Sequence, residues 1–145
     1  MEGFLKIEPI WEDSEIFEVR FSASNGKFAG VVDCYTQRSR IADLGEKLTG
    51  FPKSVDSEVK FTTGERDDRS FISIKFFCTD GAGHISARTK ICHNEYYSAK
   101  EHEYSSAEFD IAIEPAQIDK FVKSIERVAT EKIGNATAEI CAGES

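Results

Sequence analysis

The sequence predicts an α+β domain: a curved antiparallel sheet of about six to seven strands, with two helices packed on its apolar face. Three observations predict it. Several stretches alternate apolar and polar residues with period two, the mark of a strand with one buried face. Two stretches instead repeat apolar residues at spacings of three and four, the mark of an amphipathic helix. The links between alternating stretches are short and carry hairpin signals such as Asn25-Gly26, so neighbouring strands pair antiparallel.

Residues 3–10 (GFLKIEPI) form a short first strand ending near Pro9, followed by a polar connection with Trp11 as its one large anchor. From Glu15 to Ser24, Phe17, Val19 and Phe21 point inward while Glu18 and Arg20 point outward. Asn25-Gly26 turns the chain into a return strand over Lys27 to Thr36. A helix follows over about Arg38 to Thr49, with Ile41, Leu44 and Leu48 as its stripe. Gly50 caps its end and Pro52 prevents continuation. Asp56 to Thr63 carries a short strand with Val59 and Phe61 inward, and Gly64 to Arg69 is a charged loop.

The most informative stretch is residues 70–93. Ile72, Ile74, Phe76 and Cys78 alternate on one arm, and Ile85, Ala87, Thr89 and Ile91 on the other. The turn Asp80-Gly81-Ala82-Gly83 sets Ile72 opposite Ile91, Ile74 opposite Thr89, Phe76 opposite Ala87 and Cys78 opposite Ile85. A slip by one residue would send the wrong face into the core, so pattern and turn agree on one register. Residues 94–103 form a polar loop. Tyr104 to Glu114 is the last strand, with Ala107, Phe109, Ile111 and Ile113 on one side. If Ile91 meets Ala107, Lys90 faces Glu108 and Arg88 faces Asp110, a favourable charge pattern. The second helix runs from Pro115 to about Lys132, with Ile118, Phe121, Val122, Ile125 and Val128 as its stripe. Residues 1–132 thus make one domain, and 133–145 a loosely ordered tail in which Ile140 could dock.

With 145 residues, such a chain buries about 70% of its unfolded surface. A formal net charge of −8 argues against general nucleic-acid binding, which rests on Lys and Arg neutralising phosphates. It argues equally against an anionic membrane surface and is compatible with a basic protein partner. No basic segment followed by an apolar run lies in residues 1–20, which reads as no secretory signal. The four cysteines (34, 78, 92 and 141) contain no CxxC pair, and Cys78 and Cys92 point to opposite faces, so reduced thiols in the cytoplasm are expected.

No catalytic residue, metal site or cofactor is expected. Cys92-His93 is geometrically poor as a nucleophile and base, because adjacent strand residues project from opposite faces. His93 and His102, with Glu95, Glu101 or Glu103, lack any metal-binding spacing. Glu65, Asp67 and Asp68 lack the pattern of a calcium loop. Asp80 to Gly83 has neither a following helix nor a Walker lysine, so it reads as a turn and not a phosphate cradle. The best binding-surface candidate is the outward strand face carrying Phe71, Lys75, Phe77, Arg88, Lys90, Glu108 and Asp110, where aromatics interleave with mixed charge. Tyr96, Tyr97 and Tyr104 are a weaker candidate.

Four segments together, FEVRFSASNGKFAG, IADLGEKLTGFP, FISIKFFCTDGAGHISARTKI and FDIAIEPAQIDKFVKSI, resemble the bacterial immunity-like proteins of the WapI type over about residues 15–128. The shared motifs are structural rather than catalytic, and no binding residue carries over from them. The resemblance implies a cytoplasmic protein that binds and neutralises a cognate toxin domain. The expectation is therefore a non-catalytic protein-binding module, monomeric or weakly dimeric. Two alternatives stand beside it. One is a small-ligand binder or enzyme with a pocket between sheet and helices, using His84, His93 or His102. The other is a self-associating structural domain pairing through an open strand edge.

Overall fold

The computed structural model describes residues 3–64, 70–96 and 102–142. Their alternating stretches form eight strands: β1 (Gly3–Glu12), β2 (Phe17–Ser24), β3 (Ala29–Thr36), β4 (Glu58–Gly64), β5 (Phe71–Cys78), β6 (Ile85–Tyr96), β7 (His102–Ile113) and β8 (Ala138–Ala142). Helix α1 (Arg38–Leu48) joins β3 to β4, and helix α2 (Pro115–Thr130) joins β7 to β8. The strands make two four-stranded antiparallel sheets, ordered β3-β2-β1-β8 and β4-β5-β6-β7. The expectation of one sheet of six to seven strands is thereby corrected. Period-two alternation states that one face is buried, not what covers it. Here each sheet is covered partly by the other.

The sheet-to-sheet contact is direct. Phe21 of β2 and Phe61 of β4 bring their rings to 6.0 Å, tilted by 47°. Gly30 of β3 lies so close to Ile91 of β6 that a Cβ there would sit 3.1 Å from the Ile91 Cδ1. The helices close the rest of one core that draws on both sheets. The Phe76 ring of β5 lies 6.5 Å from Phe121 of α2. Gly45 gives α1 its approach to α2, since a Cβ would come within 3.1 Å of the Ile125 Cγ2.

The central hairpin has the register read from its pattern: Ile72↔Ile91, Ile74↔Thr89, Phe76↔Ala87 and Cys78↔Ile85. The pairing of β6 with β7 likewise sets Ile91↔Ala107, Lys90↔Glu108 and Arg88↔Asp110. Within the turn, Asp80 Oδ1 accepts the Ala82 N–H at 2.8 Å, and Thr79 N–H donates to the His84 carbonyl at 2.9 Å. Gly83 has φ +90°, a left-handed value that a side chain would strain. Both helix boundaries follow local chemistry. Gly50, at φ +74°, ends α1, and Pro115 opens α2, where Glu114 N–H donates to Gln117 Oε1 at 2.9 Å.

Two expectations at chain-distal positions are corrected. The stretch after residue 132, expected as a loose tail, contains β8, which pairs with β1 through Leu5↔Ile140 and Ile7↔Ala138. Ala138 and Ile140 are buried, and Gln117 of α2 donates its Nε2 to the Cys141 carbonyl. The polar loop expected over 94–103 is shorter, because β6 continues to Tyr96 and β7 begins at His102. One further anchor ties four elements together. Arg38 of α1 binds both Glu12 carboxylate oxygens at 2.7 Å, donates to the Val128 carbonyl at 3.0 Å and lies 4.6 Å above the Phe17 ring. That hydrogen bond holds the Glu12 carboxyl below its ordinary pKa.

Candidate functional site

The outward face read from sequence exists on the second sheet, but its chemistry is largely turned on itself. Lys75, Phe77, Arg88, Lys90, Glu108 and Asp110 share it. Arg88 binds Asp110 through both guanidinium arms, at 2.9 and 3.1 Å. The Phe77 ring lies between the Lys75 ammonium, at 5.0 Å, and the Arg88 guanidinium, at 5.1 Å. Phe71 departs from the expectation. It has the outward phase but is buried, as is its cross-strand partner Cys92, whose sulfur lies 3.9 Å from the Tyr104 hydroxyl. Backbone at Gly64 covers Phe71 on the other side, leaving so little room that a Cβ at 64 would come 2.7 Å from the Phe71 Cα.

The histidines are held apart by the sheet register. His93 pairs with Ser105 and His102 with Tyr96, so three strand positions, or about 10 Å, separate the two rows. His93 Nε2 is 3.4 Å from Glu103 Oε1, and its Nδ1 is 3.4 Å from the Ser70 hydroxyl, which accepts the Asn94 N–H at 3.3 Å. Cys92 and His93 do project to opposite faces, Cys92 outward with Phe71 and His93 toward β3. His84 stands elsewhere, at the hairpin turn, with Nδ1 2.6 Å from Asp80 Oδ2. Among the described residues, no group of three His, Cys, Asp or Glu side chains is arranged to hold a metal ion. Glu65, Asp67, Asp68, Tyr97 and Glu101 lie outside the described residues, and the side chains of Glu95, Tyr96 and His102 are likewise not described.

A second surface, on the first sheet, was missed by the sequence reading. Tyr35 is 64% exposed, Phe28 61%, Val31 58% and Trp11 57%. Cross-strand register places three of them on one outer face: Tyr35 beside Glu18 beside Trp11 in one row, Val31 beside Ser22 beside Lys6 in another. Phe28 stands at the turn entering β3. Between the two rows, Arg20 binds both oxygens of Asp33, at 2.9 and 3.1 Å. Asp33 together with Glu8 and Glu18 raises the pKa of that guanidinium, the Asp33 hydrogen bond most of all. Three carboxylates thus surround one cation in the middle of this face, interleaved with its exposed apolar side chains. The signal was present in Val31 and Tyr35, which alternate with buried Val32 and Cys34. They are exposed because they point to the outer face of the first sheet, as does Trp11 of the inner strand β1.

Beside this face runs a trough where β3 crosses the open end of the second sheet. One part, of about 880 Å³, is lined by Asp33, Tyr35, Thr36 and Arg40 on one side and Ser70 and Asn94 on the other. An adjoining part, of about 430 Å³, shares Asp33 and Ser70 and adds Val31 and His93. A hydroxyl pair spans its end: Thr63, itself buried, donates to Thr36 Oγ1 at 2.8 Å. Cys34 lies beside it, with its thiol pushed up to about 12 by burial and then by the Asp33 and Glu18 carboxylates. Such a thiol stays protonated and is a poor nucleophile.

No family model matches the chain, and no similar curated protein is found. Among solved structures, the plant transcriptional regulator PBF-2 is similar with a TM-score of 0.46 and 9% identity, over 89% of this chain and 76% of that one. A likeness at this level carries no weight for function. No helix among the described residues is long and apolar enough to cross a membrane.

Proposed function

We propose that this chain is a protein-binding module that docks a basic partner protein on the outer face of its first sheet, in the manner of an immunity protein that occludes a toxin domain in the cytoplasm. One observation carries the reading: Trp11, Val31 and Tyr35 are more than half exposed on a single sheet face that also carries Glu8, Glu18 and Asp33 between them. Aromatic side chains supply large contact area at low entropic cost, and interface cores are enriched in them. These carboxylates and the net charge of −8 favour and steer a partner of opposite sign. The face on the second sheet is a weaker docking candidate, because Arg88, Asp110 and Phe77 already satisfy one another.

Capture from a lysate of the source organism tests this with three tagged proteins: the wild type, Trp11→Asp/Tyr35→Asp, and Lys90→Glu. The expected result is one basic protein held in stoichiometric amount by the wild type and by Lys90→Glu, released by high salt and lost from the double variant. Equal retention by the double variant overturns the proposal. Loss from Lys90→Glu alone moves the docking face to the second sheet.

A further inference from the structure

From β3 and the trough beside it, we infer that the partner is gripped by strand addition: an extended, basic segment of the partner pairs with the free edge of β3 and lies along the trough. The inference rests on the docking reading above and specifies how the partner is held. Among the described residues, strand β3 is an edge of its sheet. Its residues, AGVVDCYT, include neither proline nor lysine, the residues that commonly guard exposed edges.

The direction of its backbone groups follows from the ladder. Asn25 N–H donates to the Phe28 carbonyl at 3.0 Å, and the pairing from Ser24↔Ala29 to Phe17↔Thr36 continues without a register shift. Antiparallel pairs alternate between bonded and non-bonded positions. Gly30, Val32, Cys34 and Thr36 therefore bond to β2. Ala29, Val31, Asp33 and Tyr35 turn their N–H and C=O groups away from β2, and at Ala29, Val31 and Asp33 this edge is free among the described residues. The Tyr35 carbonyl agrees with this phase, since its oxygen lies 3.4 Å from the Thr63 hydroxyl across that edge.

The trough follows this edge over residues 31–37, about 20 Å of extended chain. Its far wall presents small polar groups at Ser70 and Asn94 and the imidazole of His93, which suit a peptide backbone better than a compact apolar ligand. Glu18 and Asp33 stand on the near wall, and Arg20 is held by Asp33. Carboxylate at the rim selects Lys or Arg at alternate positions of the added strand. Val31 and Tyr35 belong to both the edge and the aromatic face, so one partner segment engages both.

The test pans a random peptide library displayed on phage against the wild-type protein, and compares Val31→Pro with Val31→Ala. Proline at 31 removes an N–H that faces the free edge and no bond to β2. Expected are peptides that alternate β-branched residues with Lys or Arg, bind the wild type and Val31→Ala, and lose binding to Val31→Pro. In the wild type, the same peptides slow amide exchange at Val31 and Asp33 by about tenfold or more, while Val32 and Cys34 are little changed. This second readout holds even if Val31→Pro fails to fold. Peptides that bind all three proteins alike, or leave those two amides unprotected, overturn the inference. So does a wild-type homodimer that Val31→Pro dissociates, because the edge then belongs to a second copy. A partner captured through Trp11 and Tyr35 with no such peptide leaves the docking reading standing and removes strand addition.

Discussion

Replacing Ile140 by alanine tests the strand that closes the first sheet. Ile140 is 2% exposed and pairs with Leu5, itself fully buried. The change deletes three carbon atoms, worth about 2.4 kcal/mol at ~0.8 kcal/mol each. The cavity left behind adds to this, so the expected loss is about 3–4 kcal/mol. A domain of this size has a stability of roughly 10 kcal/mol, so the variant still folds. Urea denaturation followed by far-ultraviolet circular dichroism measures the loss, with Glu139→Ala as the control. Glu139 sits next along the strand but is exposed, and its loss is expected to stay within about 0.5 kcal/mol. If Ile140→Ala also falls within about 0.5 kcal/mol of wild type at unchanged denaturant slope, β8 does not contribute to the core. The account of the first sheet would then be wrong.

Three further outcomes are expected. His84 has its pKa raised above 6.5, first by the hydrogen bond its ring N–H donates to Asp80, so its imidazole titrates above that value by NMR and returns toward it in Asp80→Asn. The raised pKa means that the turn's stabilisation is fully present below pH 6.5 and fades as pH rises through the folded-state value. Cys34, with its thiol near 12 and its side chain buried, resists a thiol reagent at pH 8 until the protein unfolds, whereas exposed Cys141 reacts at once; prompt labelling of Cys34 in mass spectra of the native protein would contradict its placement. Gly64→Ala is expected to cost more than about 2 kcal/mol by urea titration, because Gly64 has φ +96° and a Cβ would meet the Ser70 carbonyl at 2.3 Å. A cost no larger than that of an ordinary surface substitution would show that the β4 end is placed differently.

Much of the local structure was legible. The hairpin register from Ile72↔Ile91 to Cys78↔Ile85 followed from alternation plus one glycine-bearing turn, both local in sequence. The Arg88–Asp110 pair followed from the same logic carried to the next strand. The candidate site was less legible. Phe71 alternates like an outward residue, and nothing in its neighbourhood announces that Cys92 and the backbone of Gly64 enclose it. Val31 and Tyr35 look like ordinary members of a hairpin strand. They are exposed because they lie on the outer face of the first sheet, away from the second.

By itself the sequence determined the register of the central hairpin, the turn at Asn25-Gly26 and, to within two residues, the ends of both helices, because those choices depend on neighbours within a few positions. Tertiary structure decided how the strands divide. A strand with one apolar face is satisfied equally by a helix or by another sheet, and its pattern does not say which. Packing of Gly30 against Ile91 and Phe21 against Phe61 set one sheet upon the other. Pairing of β8 with β1 drew residues 138–142 into the core from what reads as a polar tail. These contacts join residues 40 to more than 130 positions apart, and the same division that made them left the edge of β3 open.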